Sequence, residues 1–120
     1  MSLRTRQANV TIAADAALSG AVCLGDGVLC AIQMPAVWTA ADLSFQVSDD
    51  GGTTWTELLD SAGVAIAVTT PAATERLEVD ASDFKSAVFL KVRSGTSAIP
   101  ANQAAARVLT LISRKFYPVS

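Results

Sequence analysis

The chain contains no histidine. A Ser-His or Cys-His nucleophile pair therefore has no base to draw on. Charge is scarce too: Asp, Glu, Lys and Arg make up 17% of the residues, against about 25% in an average soluble domain. The nine Lys and Arg residues are scattered along the chain, without the basic stripe that tracks nucleic acid. No apolar run reaches the roughly 18 residues of a membrane span. The opening MSLRTRQANV has two arginines but no apolar core behind them, so it does not read as a signal peptide. The expectation is a protein that binds neither membrane nor nucleic acid and stays in the reducing cytoplasm where it is made.

What is present is small and apolar. Hydrophobic residues account for 51% of the chain, and 22 of its 120 residues are alanine. That length suits one domain with one core, burying roughly 65% of the surface its unfolded chain exposes. So few charges on so small a body imply that part of the surface is covered by a partner.

Apolar and polar residues alternate with a period of two, the signature of strands half-buried in a sheet. In LSFQVS, Leu43, Phe45 and Val47 point in while Ser44, Gln46 and Ser48 point out. NVTIA buries Val10 and Ile12, RLEVD buries Leu77 and Val79, and AVFLKVRS buries Val88, Leu90 and Val92. On the other face of that last strand lie Phe89, Lys91 and Arg93. Turn residues separate these runs about every ten positions, which predicts an all-β fold: an antiparallel β-sandwich, jelly roll or Ig-like, with about eight or nine short strands. Helix is confined to single turns at PAVWTAADL and at DASDF, the latter capped by Asp80 or Ser82. The domain runs over residues 9–116, with a polar, flexible arm at 1–8 and a tail at 117–120. The connection Ser94–Arg107 is long for an inter-strand loop, and such loops tend to be functional or to pack on a partner.

Cys23 and Cys30 flank LGDGVL. Asp-Gly is a strong signal for a two-residue type I′ hairpin. That hairpin would set Leu24 opposite Leu29 and Cys23 opposite Cys30, with Cα atoms about 5.5 Å apart. The cross-strand Cβ vectors are poorly aimed for a disulfide, so two buried free thiols are expected. Two cysteines without histidine also fall short of the four ligands of a structural zinc site. Both faces of the hairpin are apolar, whereas an open antiparallel sandwich keeps one face polar. Either other parts of the chain cover this segment, or its second face is buried against another subunit, which makes Val22, Leu24 and Leu29 candidate partner contacts.

The stretch SDDGGTTW reads as Ser48-x-Asp50-x-Gly52-x-Thr54-Trp55, the pattern called an Asp-box. Its physical reason is local. Asp50 accepts from backbone amides across the turn, the glycines supply positive φ, and Trp55 packs back over the strands. The pattern resembles the Asp-boxes of sialidases, where it is a structural element away from the active site, repeated around a propeller. A propeller needs at least about four blades, and this chain has one copy. The motif is therefore read as a structural hairpin. Asp49, Asp50, Glu57 and Asp60 are read as solvated turn carboxylates rather than a glycosidase pair. SDDGG lacks the further acidic ligands of a calcium loop, and Phe89, Lys91 and Arg93 hold one aromatic, too few for a nucleic-acid stacking platform. No catalytic residue, metal site or cofactor is assigned. Trp38 is either packed under a sheet or a rim residue at a subunit contact, as tryptophan is enriched at hot spots.

Two longer runs carry a resemblance. AIQMPAVWTAADLSFQVSDDGGTTWTELLDSAGVAIAV, and later FLKVRSGTSAIPANQAAARVLTLISRKF, are similar to small structural proteins of tailed-phage virions. The shared phrasing is a Pro-x-x-Trp turn, the LSFQVSDDGG segment, and LKVRSGTS leading into the last strand. The resemblance implies a non-enzymatic virion component, most like the head decoration or cementing β-sandwiches that sit on the major capsid protein as dimers or trimers. Arg4 and Arg6 are candidate contacts to an acidic shell. The alternative is a carbohydrate-binding or adhesin module of a tail fibre or baseplate, with Trp38 or Trp55 as the sugar platform.

Overall fold

The alternating segments form strands that divide between two sheets. The structure, a computed structural model, describes residues 5–115. In chain order the strands are β1 (Thr5–Ile12), β2 (Val22–Cys23), β3 (Val28–Gln33), β4 (Leu43–Ser48) and β5 (Thr56–Glu57), then β6 (Ala67–Val68), β7 (Arg76–Glu78), β8 (Phe89–Ser94) and β9 (Arg107–Arg114). One sheet has the order β1-β9-β3-β7. The other has the order β2-β8-β4-β5, with β6 pairing the remaining half of β4. All pairings are antiparallel, and the architecture is a β-sandwich.

Its interior is supplied by the alternation. Val10, Ile12, Leu109 and Leu111 come from the first sheet, and Leu43, Phe45, Leu90 and Val92 from the second, all at most 3% exposed. A 3₁₀ turn, Ala81–Phe84, closes one side. Asp80 caps it by accepting from the Ser82 amide at 3.0 Å. That cap drives Phe84 edge-on into Phe45, with ring centroids 5.0 Å apart and planes at 88°, the T-shaped arrangement that the ring quadrupoles favour.

The structure corrects the expected hairpin. β2 pairs with β8 in one sheet, while β3 pairs with β9 and β7 in the other. The Leu24–Gly27 turn thus carries the chain across the sandwich instead of folding it back on itself. It is closed by Gly27 N–H donating to Leu24 C=O at 3.0 Å, and the positive φ, +61°, falls on Gly25 rather than on Asp26. Leu24 and Leu29, offered as partner contacts, are core residues at 5% and 0% exposure. Both faces of the segment are apolar because its two halves line opposite walls of one interior. A register shift between Leu29 and Ala31 adds to this: the bulge turns Cys30 aside, so Leu29 and Ile32 both reach the core despite their odd spacing.

Three other expectations change. Residues 5–8 are no arm: they open β1 and pair with β9 from Thr5↔Arg114 onward. Residues 1–4, with Arg4, and residues 116–120, with the assigned tail, lie outside the described residues. PAVWTAADL forms no helical turn; its Pro35 carbonyl accepts from the Thr74 amide at 2.9 Å. Val88 precedes β8 and is 40% exposed instead of buried.

Candidate functional site

The Asp-box folds as its local chemistry requires. Ser48, the last residue of β4, is buried, and its hydroxyl donates to Asp50 Oδ1 while accepting the Gly52 amide at 2.9 Å. Asp50 Oδ1 also accepts the amides of Thr53 and Thr54 at 3.1 and 2.9 Å, and the Thr54 hydroxyl donates to Oδ2. These donors favour the ionised carboxylate and hold the Asp50 carboxyl well below the usual range. Gly51 and Gly52 take φ of +75° and +95°, conformations that disfavour a side chain. Trp55 turns back and donates its indole N–H to Gly52 C=O at 3.0 Å. Every polar atom of the motif named here is thus engaged inside the motif.

Trp55 is nonetheless part of an open cleft of about 500 Å³, lined also by Gly20, Val22, Cys23, Phe89 and Lys91. Within it, the Lys91 ammonium stands 4.6 Å from the centre of the Trp55 ring, a cation–π contact. The ammonium thus covers one face of the indole.

The outer face of the second sheet carries a polar ladder that alternation alone conceals. Arg93 on β8, expected in solvent, is 7% exposed. Its guanidinium grips Glu57 on β5 through both terminal nitrogens, Nη1 and Nη2, at 2.5 and 2.6 Å, and Nη1 also donates to the Ser44 hydroxyl on β4 at 3.2 Å. Gln46 donates to the same carboxylate at 2.8 Å, and the Ser44 hydroxyl donates to Gly95 C=O. Arg93 hydrogen bonding holds the Glu57 carboxyl below its ordinary range, and Glu57 in turn raises the Arg93 guanidinium. The ladder explains why Ser44, predicted to face water, is 2% exposed. Asp60 is likewise committed locally, accepting the amides of Ala62 and Val64 at 2.8 and 2.9 Å.

A second node organises one end of the sandwich, and Gln103 is its centre at 0% exposure. Its backbone pairs with residues 15 and 16: Asp15 N–H donates to Gln103 C=O at 2.8 Å, and Gln103 N–H donates to Ala16 C=O at 2.9 Å. Its side-chain oxygen accepts from Thr39 N–H at 2.9 Å and from Arg107 Nε at 3.2 Å. Its amide nitrogen donates to Thr39 C=O at 3.0 Å and to the Ser94 hydroxyl at 2.7 Å. One side chain thus ties the loop after β1, the loop before β4 and the Ser94–Arg107 connection into one body. The surface so assembled exposes Val37 at 61% and Ile99 at 76%, together with Ala36, Ala40, Ala98 and Ala104–Ala106. Residues 94–106 hold no charged side chain at all.

Of the other predicted contacts, Arg6 is exposed and lies 3.6 Å from Asp26, which also pairs with Lys115 at 2.9 Å. Val22 and Trp38 are half-buried against the core, and the Trp38 indole N–H donates to Ala41 C=O at 3.2 Å. The cysteines are free, but Cys23 is exposed and Cys30 half-buried, not both buried as expected. Sequence reasoning passed over Gln103, although an Asn-Gln pair among five nearby alanines was the visible signal. It also passed over the pairing of Arg93 with Glu57, whose partners lie 36 positions apart. Among the described residues no cluster of three or more His, Cys, Asp or Glu could hold a metal ion, and no helix is long and apolar enough to cross a membrane. No family profile, curated protein or solved structure matches the chain.

Proposed function

We propose that this protein is a non-enzymatic structural component of a tailed-phage virion, made in the host cytoplasm and placed on the capsid surface, where it decorates or cements the major capsid protein. The observation that carries the reading is the end of the sandwich organised by Gln103. Three loops present alanines, Val37 and Ile99 to solvent; their charges are the exposed Asp15 in residues 13–20, the half-buried Asp42 in residues 35–42 and the half-buried Arg107 at the end of the third. A charge-poor apolar surface of this kind gains free energy when covered, at about 25 cal/mol per Å² before the costs of association. Gln103 fixes the loops in advance, so little ordering entropy is lost on docking. The phrasing shared with virion proteins runs through two of these loops, the one before β4 and the Ser94–Arg107 connection.

The reading as a carbohydrate-binding or adhesin module of a tail fibre or baseplate draws on the Trp55 cleft. It is disfavoured by Lys91 over the Trp55 ring and by the packing of Trp38 against the core.

The test is the copy number in purified particles, measured by quantitative mass spectrometry against the major capsid protein. Near-stoichiometric amounts support decoration. A handful of copies moves the protein to the tail and revives the adhesin reading, and absence from the particle overturns both.

A further inference from the structure

β1 is an edge strand of eight residues, the longest edge in the sandwich, paired on one side only among the described residues. Which of its backbone groups are free follows from the ladder. Val79 N–H donates to Cys30 C=O and Met34 N–H to Glu75 C=O, so Ile32, midway between them, also faces β7. Ala31 and Gln33 then face β9, where their partners are Ile112 and Thr110. Leu109, Leu111 and Ser113 must face β1, and their partners there are Val10, Ala8 and Arg6. The even residues of β1 are thereby used by β9, and the odd ones point their N–H and C=O outward. Thr11 fits this parity, since its carbonyl accepts from the Gly20 amide at 3.3 Å. The loop after β1 therefore covers the strand at Thr11 and leaves Thr5, Gln7 and Asn9 as the open edge.

Natural edge strands are blunted by charged side chains, lysine above all, by proline or by a bulge, and the one charge here is Arg6, 3.6 Å from Asp26. Thr5–Ile12 has no lysine or proline, and its register with β9 is unbroken over all eight residues. We infer that this edge pairs with the same edge of a second copy, antiparallel about a two-fold axis at Gln7. The register is dictated by the free groups. Three alternate residues are open, so a two-fold pairing that uses all of them sets Gln7 opposite Gln7 and Thr5 opposite Asn9. Each such pair exchanges two bonds, about six in total. The side chains on the outer face are Thr5, Gln7 and Asn9, all exposed and neutral, so the two carboxamides meet across the axis as mutual donor and acceptor. Arg6, the single charge in the strand, falls opposite Ala8, so no like charges are opposed. An isologous contact of this kind closes at two copies. The inference is independent of the virion reading, because it concerns the purified chain in solution.

Gln7→Pro is the decisive variant. The Gln7 N–H faces the open edge, so proline in both copies removes both central intermolecular bonds and no bond to β9. Sedimentation velocity of the full chain at hundreds of micromolar should give twice the 12.4 kDa monomer mass. Gln7→Pro should give the monomer with an unchanged circular dichroism spectrum. Gln7→Lys, which opposes two ammonium groups on the axis without touching the backbone, should also give the monomer, and covers the case in which proline disturbs the strand. A wild-type monomer, a trimer, or a dimer that survives Gln7→Lys would overturn the inference. None of these outcomes bears on the copy number in particles.

Discussion

Gln103 and Thr39 are joined as two strands would be: the glutamine carboxamide accepts the Thr39 N–H at 2.9 Å and donates to the Thr39 C=O at 3.0 Å. A side chain stands in for a backbone rung where two loops meet with no strand between them. The loop before β4 thus has its main chain satisfied from 64 positions away.

Replacing Gln103 by leucine keeps the volume and removes every one of these side-chain bonds. The Thr39 N–H and C=O and the Ser94 hydroxyl would lose their partner, each at the cost of an unsatisfied buried group. The expected loss is about 3 kcal/mol, read as a lower urea midpoint. Backbone amide exchange near Thr39 should accelerate, while exchange in β8 and β4 stays protected.

Gly95 sits at φ +89°, and a Cβ there would lie 2.5 Å from Ile99 O and 2.6 Å from Ala101 N. Both are backbone atoms of the same connection, which the bonds from Ala101 N–H to Ser94 C=O and from Thr96 N–H to Ile99 C=O hold in place. Gly95→Ala should therefore destabilise by about 2 kcal/mol, through strain at a left-handed position and displacement of the loop. Gly63, also at positive φ but with nothing within 4 Å, supplies the comparison: Gly63→Ala should cost less, and thermal melts of the two variants test the order.

Glu57 and Arg93 set a pH dependence. The folded Glu57 carboxyl titrates below its unfolded range because it receives the Arg93 guanidinium. The unfolded state thus binds more protons in this window, and stability rises with pH there. Its contribution is fully present above about pH 5 and is lost as pH falls through the folded value. Asp50 and Asp80, whose carboxyls are also lowered, act in the same direction. Glu57→Ala should cost about 3 kcal/mol at neutral pH, since it strands a buried guanidinium, and should flatten the acid limb of the stability curve. Urea titrations between pH 2 and 7 on both proteins check this, and restoration of stability in Glu57→Leu/Arg93→Met would assign the loss to the stranded charge.

The two cysteines should differ in reactivity and should not join. Cys23 is exposed on a strand of one sheet, Cys30 half-buried on a strand of the other. Burial first, then the nearby Glu78 carboxylate, pushes the Cys30 thiol up, which leaves less thiolate at neutral pH. Iodoacetamide at pH 7.5 should label Cys23 several-fold faster than Cys30, as read by peptide mass spectrometry over time. Mild oxidation should leave no intramolecular disulfide.

The strands and the Asp-box were legible because their causes are local. Leu43, Phe45 and Val47 alternate with polar neighbours, and Ser48, Asp50 and Thr54 close their bonds within a few positions of one another. The Asp80 cap was legible for the same reason. The Asp26-Gly27 signal announced a turn in the right place, yet a turn fixes only a change of direction. Whether the two arms pair or part to different sheets depends on β8 and β9, which lie far along the chain.

The sequence by itself determined the alternation, hence an all-β chain in two apolar-faced layers, and the self-contained turn from Ser48 to Trp55. Only the tertiary structure decided which strands are neighbours. It alone buried Leu24 and Leu29, brought Arg93 to Glu57, set Lys91 over Trp55 and made Gln103 the tie between three loops. The division is physical: contacts closed over a few residues are favoured by the local chain itself, while contacts across 36 or 64 positions form only after their loop-closure entropy has been offset by the packing of the whole core.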